Sequence, residues 1–272
     1  MNGRVRVSLL RQTANPETAV ALAARLCYSA DGIDDLERGV VAADAAALIR
    51  RIVALGHHSV LEHAVFSFGI EGISRAASHQ LVRHRVASYS QQSQRYVSAS
   101  ADFEHVVPPS IAAEPNRARL FAGAMRDAGK RYRALLDAGV PAEDARFVLP
   151  NAAATRIIVT MNARELRHFF TVRCCQRAQW EIRALALLML GLARSAAPVL
   201  FEGCGPACVG GPCPEGKLSC GRLAEVRKAF VVWKLREEHP LVAEALSAPQ
   251  QDRRRAAQKS SARPAARGGK RV

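Results

Sequence analysis

The sequence predicts an α+β fold, in which a few strands alternate irregularly with a larger number of helices. Two stretches indicate strands: apolar and polar residues alternate over residues 66–71, and β-branched residues run together at 157–159. Residues 115–138 carry apolar side chains at alternating steps of four and three, as an amphipathic helix requires. Because strands and helices do not alternate regularly, an α+β arrangement fits better than a regular parallel α/β sheet.

Local signals predict the elements of the N-terminal part. Residues 5–9 alternate between apolar and polar side chains and predict a first strand. Asn15 and Pro16 are a favourable N-cap and first-turn pair, so a helix is expected from here to about Cys27. A second helix is expected over residues 42–54.

A further helix is predicted over residues 73–85, following the strand at 66–71. If it is continuous, His79 and Arg83 share one face, and Gln80 and His84 share another. The stretch would then present an organised set of polar side chains.

Glycine and proline mark the boundaries downstream. Pro108 and Pro109 predict a loop, and Gly139 ends the long helix that begins at Pro115. Residues 162–192 read as one or two helices. No repeat and no GxGxxG dinucleotide fingerprint is present in the sequence.

Composition narrows the class of protein. The chain has 272 residues, enough for one substantial core, and its longest apolar run, residues 184–193, is too short to span a bilayer. The N-terminus lacks the apolar core of a signal peptide. Seven cysteines without an export signal indicate a reducing, cytoplasmic location.

Charge is distributed unevenly along the chain. The formal net charge is +15, and residues 250–272 hold eight Arg and Lys against one acid, Asp252. A segment this basic and without an aliphatic pattern is expected to be a disordered tail, which could contact nucleic acid weakly and nonspecifically. The remaining body is also basic, as suits an enzyme of phosphorylated or carboxylated substrates.

The most informative stretch is residues 83–96, which reads RHRVASYSQQSQRY. It places three guanidinium groups, one imidazole and several hydroxyls within 14 residues. Guanidinium forks match phosphate geometry with paired hydrogen bonds, so an anionic ligand, a phosphate ester, is one interpretation. A solvated basic face, or a nonspecific polyanion contact, is the other.

Four blocks in this order resemble the flavin-dependent thymidylate synthase family. The first is GH-x4-EH at residues 56–63, and the second is RHR-x7-S at residues 83–93. The third is AR-x-x-LP at residues 145–150, and the fourth runs from NAR at residue 162 to AQWEI at residue 182. The resemblance implies a small antiparallel sheet flanked by helices, assembled as a homotetramer with active sites between subunits.

The same resemblance implies an activity. The family converts dUMP to dTMP, with methylenetetrahydrofolate as the carbon donor, reduced FAD as the hydride donor, and NADPH as the reductant of the flavin. In such an enzyme the cofactor carries the difficult step, and the protein orients and polarises the reactants.

The resemblance also implies a substrate site. Arg173 would be the catalytic residue, a fixed cation stabilising charge at N3 and O2 of the uracil; without the resemblance it would read as an ion-paired surface arginine. Arg95 and Arg146 are expected to hold the phosphate, and Ser93 to donate a hydrogen bond near the pyrimidine. The full set expected to bind dUMP is Gln80, Arg83, Gln91, Gln92, Ser93, Gln94, Arg95, Arg146 and Arg173.

For FAD the resemblance implies a second, overlapping set. It comprises His57, Ser59, Arg83, His84, Arg85, Gln91, Asn162, Arg164 and His168. His57 would lie beside the flavin or the folate path. Family members often have an acid where Gln91 stands and an Asn or a His where His168 stands, and some have a His where Arg177 stands. No metal ligand is assigned.

The C-terminal part raises a separate question. Cys204, Cys208, Cys213 and Cys220 are separated by three, four and six residues, wider than the CxxC pairs of most zinc sites. Structural zinc, free thiols and a disulfide are all open, while Cys174–Cys175 is expected to serve packing. We expect a catalytic domain over residues 1–200, a Cys-rich extension with a helix over 201–249, and the tail over 250–272.

Two competing functions remain at this stage. The basic motif and tail could belong to a nucleic-acid-binding protein, or the chain could be a flavin- and nucleotide-binding relative that lacks methylation. Bound flavin separates the first of these from the enzyme, and formation of dTMP separates the second.

Overall fold

A four-stranded antiparallel sheet lies at the centre of the structure, a computed structural model that describes residues 5–39, 42–99 and 102–232. Its strands are β1 (Arg6–Gln12), β2 (Val65–Ser74), β3 (Ala87–Gln91) and β4 (Ala154–Asn162). They lie in the order β1-β2-β4-β3, and each neighbouring pair is antiparallel. The prediction of a helix-rich fold with a small antiparallel sheet is confirmed.

Ten helices accompany the sheet in the described part of the chain. They are α1 (Pro16–Leu26), α2 (Ile33–Gly39), α3 (Ala42–Ala54), α4 (Arg75–Leu81), α5 (Pro109–Ala112), α6 (Pro115–Asp137), α7 (Ala142–Ala145), α8 (Ala163–Arg173), α9 (Trp180–Ala196) and α10 (Leu223–Val232). The helices predicted from Pro16, over 42–54 and from Pro115 are confirmed. The stretch expected to hold one or two helices holds two, α8 and α9.

The alternation in the sequence becomes a buried face in the sheet. Phe66, Phe68 and Ile70 of β2 are buried, and Val159 of β4, which pairs with Phe68, is fully buried beside them. Residues 184–190 of α9 are buried all round, so the long apolar run is an internal helix as expected. Within the described residues, no helix has the length and apolarity needed to cross a membrane.

The helix predicted over residues 73–85 is wrong at its C-terminal end. α4 stops at Leu81, and Arg83, His84 and Arg85 form a turn that leads into β3. The hydroxyl of Tyr89 lies 2.9 Å from the carbonyl oxygen of Leu81 and 2.8 Å from that of His84. Tyr89 therefore adds a donor to the last carbonyl of α4, which also accepts from His84 N–H at 3.1 Å, and to the carbonyl of the turn. This contact depends on pairing between β3 and β4, which local sequence does not encode.

Two smaller differences also have local causes. Pro109 was expected in a loop, but it begins the short helix α5, where the fixed backbone angle of proline is favourable. The strand β3 was not predicted, because its exposed face carries only Ser88 and Ser90 and gives no apolar alternation.

Residues beyond 200 pack into the same core as the sheet. Phe201, Cys204 and Cys208 are buried, as are Val226 and Phe230 of α10. The backbone is tight here: a Cβ placed on Gly205 would lie 2.5 Å from the ring of Phe230. Residues 233–272, which include the predicted basic tail, lie outside the described part of the chain.

A buried carboxylate joins the sheet to two helices. Glu181 is only 2% exposed, and its two oxygens each lie 2.6 Å from Ser74, one accepting from the backbone N–H and the other from the hydroxyl. Ser74 ends β2 and caps α4 by accepting a hydrogen bond from Ala77 N–H at 3.0 Å. Burial raises the pKa of Glu181, while the hydrogen bonds from Ser74 act against that rise.

We expect Glu181→Ala to destabilise the fold, because Ser74 would keep two buried donors without this acceptor. Each such group costs about 1–3 kcal/mol when left unsatisfied. The measurement is the thermal unfolding midpoint at fixed protein concentration. The control is Glu202→Ala, which removes an exposed ion pair with Arg50 worth about 0–1 kcal/mol. Equal midpoints for the two variants would contradict the structural role of Glu181.

Candidate active site

The centre of the site is a buried histidine held by one face of α8. His84 of the RHR turn is 6% exposed, and its Nδ1 lies 3.2 Å from Oε1 of Glu165. Its other ring nitrogen, Nε2, accepts a hydrogen bond from Nε of Arg173 at 3.0 Å. The ring of Phe169 lies 4.9 Å from the His84 ring. Glu165, Phe169 and Arg173 are spaced by four residues, so all three project from the same side of the helix.

Local structure fixes where α8 begins. Asn162 ends β4 and caps the helix, its side-chain oxygen accepting from Glu165 N–H at 2.8 Å. β4 pairs with β3, which follows directly after the RHR turn. The sheet register therefore brings α8 and His84 together.

The hydrogen bonds imply one tautomer for His84. Arg173 is a donor at every pH of interest, so Nε2 is the acceptor and Nδ1 carries the proton that is donated to Glu165. The pKa of His84 is lowered to about 4, chiefly by burial and then by the nearby Arg173 and His168. The imidazole is therefore neutral at neutral pH. Burial also raises the pKa of Glu165, against the opposing effect of His168.

His84, Glu165 and His168 also lie close enough together to ligate one metal ion. Among the residues that the structure describes, they are the group of three potential ligands whose atoms lie within 4.8 Å of one another. However, the Nε2 lone pair of His84 is used by Arg173, and its Nδ1 carries the proton shared with Glu165. The arrangement fits a hydrogen-bond chain better than a metal site.

Arginines crowd this region with little acid to balance them. Arg83 lies close enough to Arg173 to lower its pKa, although burial is the larger cause. Arg75 has a pKa lowered by burial and then by Arg146, and its buried Nε has no hydrogen-bond partner. Its terminal nitrogen donates to the carbonyl of Gln92 at 2.8 Å. Neighbouring guanidinium groups give this region a surplus of positive charge, which favours an anion. No sequence pattern distinguishes Arg75 from other arginines in the first turn of a helix.

The two arginines expected to hold a phosphate meet at a shared residue. Arg95 Nε donates to Oε2 of Glu143 at 2.7 Å, and Arg146 Nε donates to the backbone carbonyl of Glu143 at 2.9 Å. Ser93 precedes them, and its hydroxyl accepts from Arg95 N–H at 3.1 Å. Gln94 lies in the same turn. The structure thus gathers this part of the predicted substrate set.

The glutamines of the motif turn inward. The side-chain amide of Gln91 donates to the hydroxyls of Ser78 and Thr155, at 3.0 and 3.2 Å. Gln92 accepts from Arg156 through its side-chain oxygen at 3.3 Å. Gln80 offers its carbonyl to a terminal nitrogen of Arg173 at 3.3 Å. The side chains of Gln91 and Gln92 are thus tied to α4 and β4, while the backbone of Gln80 in α4 contacts α8.

A cavity of about 750 Å³ lies beside α8. One wall is formed by the turn at Ser59–His63 and by α8, and the opposite wall by residues 203–207 and Gly210 of the Cys-rich segment. Of the residues predicted to bind FAD, three line it: Asn162, Arg164 and His168. Arg164 donates to Glu62, also in the wall, at 2.6 Å.

The other predicted FAD residues lie outside this cavity lining. His57, Ser59, Arg83 and Arg85 are exposed, and it is His58 that lines the cavity. His84 does not line the cavity, but its ring centre lies 5.6 Å from that of His168, which does. Glu165 and the 203–210 wall were not anticipated from the sequence, because a helix-surface acid and a glycine-rich loop have no distinctive pattern.

The four C-terminal cysteines do not form one cluster of their own. Burial raises the pKa of the Cys208 thiol, and electrostatic interaction with the thiols of Cys213, Cys175 and Cys220 raises it further. Cys204 instead lies near Arg167 and Arg194, while burial raises its pKa. All seven cysteines are free thiols, so no disulfide is formed. Cys174 is buried in the core as expected, whereas Cys175 is only partly buried.

Comparison with known proteins identifies the family. The family profile described as "Thymidylate synthase complementing protein" matches residues 8–199. A "Flavin-dependent thymidylate synthase" of Geobacter sulfurreducens is 62% identical over 227 residues, covering 83% of this chain and 98% of the relative. One from Clostridium tetani is 45% identical over 243 residues, covering 84% and 97%. The chain therefore belongs to the flavin-dependent thymidylate synthase family.

A solved structure shares the fold. It is the crystal structure of a UMP/dUMP methylase, PolB from Streptomyces cacaoi, bound with 5-Br dUMP. The TM-score is 0.64 and the identity 26%, over 73% of this chain and 93% of that one. The likeness extends the sequence relationship to the arrangement of the sheet and helices.

We expect His84→Gln to make the protein less sensitive to acid. The folded imidazole stays neutral down to a pKa of about 4, while the unfolded one takes up a proton near its ordinary value of 6.5. The lowered pKa thus contributes stability that is complete above pH 6.5 and is lost as the pH falls towards 4. Between about pH 7.5 and about pH 5, the thermal midpoint should fall less in the variant than in the wild type.

Glu165 contributes with the opposite sign, because its pKa is raised in the folded chain. Glu165 is present in both proteins, so its own titration acts on both midpoints. Equal falls in the two midpoints would show that His84 is not buried in its neutral form.

Proposed function

We propose that this chain catalyses the reductive methylation of dUMP to dTMP, with methylenetetrahydrofolate as carbon donor and NADPH-reduced FAD as hydride donor. The observation that carries the proposal is Arg173, a partly buried cation fixed by His84 and Gln80 and lying beside Arg83. It belongs to a chain whose curated relatives are flavin-dependent thymidylate synthases. Such a cation suits charge that develops on a pyrimidine ring.

The fixed position of Arg173 is what gives it a chemical use. Its Nε and one terminal nitrogen are anchored at 3.0 and 3.3 Å, so the guanidinium plane is set before the substrate arrives. Arg173 would bind the uracil edge at N3 and O2 and stabilise the negative charge that makes C5 nucleophilic. Preorganised charge of this kind needs no reorganisation during the reaction.

The phosphate of dUMP would be held by Arg95 and Arg146, which already meet at Glu143. Arg75, whose charge is close enough to Arg146 to be affected by it, adds positive charge at this place. Ser93 would donate a hydrogen bond near the pyrimidine. Together with Gln80, Arg83, Gln91, Gln92, Gln94 and Arg173, these residues form the proposed substrate site.

The residues of the cavity fit FAD. They combine an amide, a guanidinium and an imidazole, in Asn162, Arg164 and His168, around a space in the range of small-ligand sites. When bound, the flavin supplies the hydride for the transferred carbon. His57, Ser59, Arg83, His84, Arg85 and Gln91 complete the proposed cofactor set.

We also propose that the protein acts as a homotetramer with sites shared between subunits. Within one chain, the Arg95–Glu143–Arg146 group contacts neither the cavity nor Arg173 in any hydrogen bond of the described residues. Near it, Tyr96 is 81% and Phe147 82% exposed. Large exposed aromatic rings beside a binding site suit burial against another copy.

The decisive test of function is Arg173→Ala. We expect the variant to keep its fold and bound flavin but to form dTMP at least about 100-fold more slowly, since one oriented charge is worth several kcal/mol in a transition state. The assay follows dTMP from dUMP, methylenetetrahydrofolate and NADPH, with flavin absorbance as the check on cofactor content. Wild-type turnover in the variant would contradict the assigned role. A wild-type protein that binds flavin but forms no dTMP would contradict the function itself.

Mixed tetramers test the shared site. Arg173→Ala and Arg95→Ala subunits, inactive alone, should regain activity when dissociated and reassembled together, because some sites then take each arginine from an intact subunit. Arg173→Ala mixed with Arg83→Ala is the matched control. Those two arginines are neighbours in one chain, so no recovery is expected. Absence of recovery in both mixtures would place Arg95 and Arg173 of one site in the same subunit.

A further inference from the structure

Glu165 is a largely enclosed acid for which the proposed chemistry has no direct use. Its side chain is 11% exposed, in a region whose proposed ligands are all anionic. Its carboxylate meets no arginine within ion-pair distance in the described residues; its partner there is His84. A carboxylate in such a place weakens anion binding, so its presence calls for a compensating role.

The contacts of His84 indicate what that role is. By accepting the proton-bearing Nδ1, Glu165 leaves Nε2 as the nitrogen that faces Arg173 without a proton. In the other tautomer, Nε2–H would face the Nε–H of Arg173, and two donors would meet. Arg173 would then lose the shorter of its two anchors, the 3.0 Å bond, and keep only the 3.3 Å bond to Gln80.

The packing leaves the imidazole little freedom to reorient. The ring of Phe169 packs edge-to-face with the His84 ring, with 4.9 Å between the ring centres. The ring of His168 is the second neighbour, with 5.6 Å between the centres. The backbone of the turn is held as well, because Tyr89 donates to the His84 carbonyl at 2.8 Å. With the ring fixed in place, the tautomer decides whether Arg173 is held, and Glu165 is the group that selects the tautomer.

We propose that Glu165 is a positioning residue that, by fixing the tautomer of His84, holds the guanidinium of Arg173 in the orientation required for catalysis. This inference rests on the proposed function of Arg173. Glu165 also lines the cavity proposed for FAD, so flavin content has to be measured alongside the rate. It affects the reaction rate through two successive hydrogen bonds, from His84 to Glu165 and from Arg173 to His84. The arginines proposed to bind the phosphate are unaffected.

The test compares Glu165→Leu with Glu165→Gln. Leucine cannot accept the Nδ1 proton, so we expect kcat for dTMP formation to fall about 10–100-fold, as when a catalytic group is misplaced by a fraction of an ångström to one ångström. KM for dUMP should change less than about threefold, because the phosphate is held elsewhere. Glutamine keeps an acceptor oxygen at the same place and should restore kcat to within about threefold of wild type.

A double variant separates positioning from general structural damage. Arg173→Lys keeps a cation but lacks the Nε–H that His84 accepts. If Glu165 acts through Arg173, adding Glu165→Leu to Arg173→Lys should cost little further activity. The control is Glu202→Leu, which removes an exposed carboxylate paired with Arg50 and should leave kcat unchanged. Flavin content and the thermal midpoint are measured for every variant.

The outcomes are distinct. Loss of kcat in Glu165→Leu, recovery in Glu165→Gln and no added loss in the double variant support the proposal. Wild-type kcat in Glu165→Leu, an equal loss in Glu165→Gln, or fully additive losses in the double variant overturn it. If Glu165→Leu does not fold, the glutamine variant alone decides, since a wild-type rate supports an acceptor role and a 10-fold or larger loss opposes it. Failure of the proposed function is separate, since it appears as a wild-type protein that makes no dTMP.

Discussion

Repulsion between arginines is the constraint on which the arrangement of this site depends. Arg173 lies near Arg83, and Arg75 lies near Arg146. Within the described residues, Arg173 and Arg75 have no acid at ion-pair distance; their acceptors are neutral, namely the imidazole of His84 and the backbone carbonyls of Gln80 and Gln92. Neutral acceptors fix the direction of a guanidinium while leaving its charge uncompensated. The site therefore keeps a surplus of positive charge that an anionic ligand can balance.

The fold holds the arginines apart by fixing the positions of the helices that carry them. Glu181 fastens the end of β2 and the start of α4 to the start of α9, deep in the core. Asn162 starts α8 directly after β4, and β4 pairs with both β2 and β3. Arg75 at one end of α4 and Arg173 at the end of α8 are thus set by the same sheet. Desolvated polar contacts of this kind lose strength if either partner moves, so they link stability to site geometry.

Periodicity predicted the parts of the fold that bury apolar side chains, including β2, α6 and the internal helix α9. It failed for β3 and the RHR turn, because strand pairing with β4 and the Tyr89 contacts are tertiary. Motif spacing selected Arg95, Arg146 and Arg173, which the structure places in polar surroundings. It did not select Glu165 or Arg75, since an acid or arginine on a short helix usually faces solvent, and only the burial of each shows its difference.

The arginines proposed to bind ligands fall into two separate groups within one chain. Arg95 and Arg146 gather at Glu143, beside the exposed rings of Tyr96 and Phe147, while Arg173 is held on α8. A chain that folded all of these arginines into one pocket would bear their full mutual repulsion before any ligand bound. On the shared-site proposal, dividing them between two surfaces defers that repulsion until subunits and anions come together. On the shared-site proposal, association of subunits and binding of the phosphorylated substrate therefore stabilise each other.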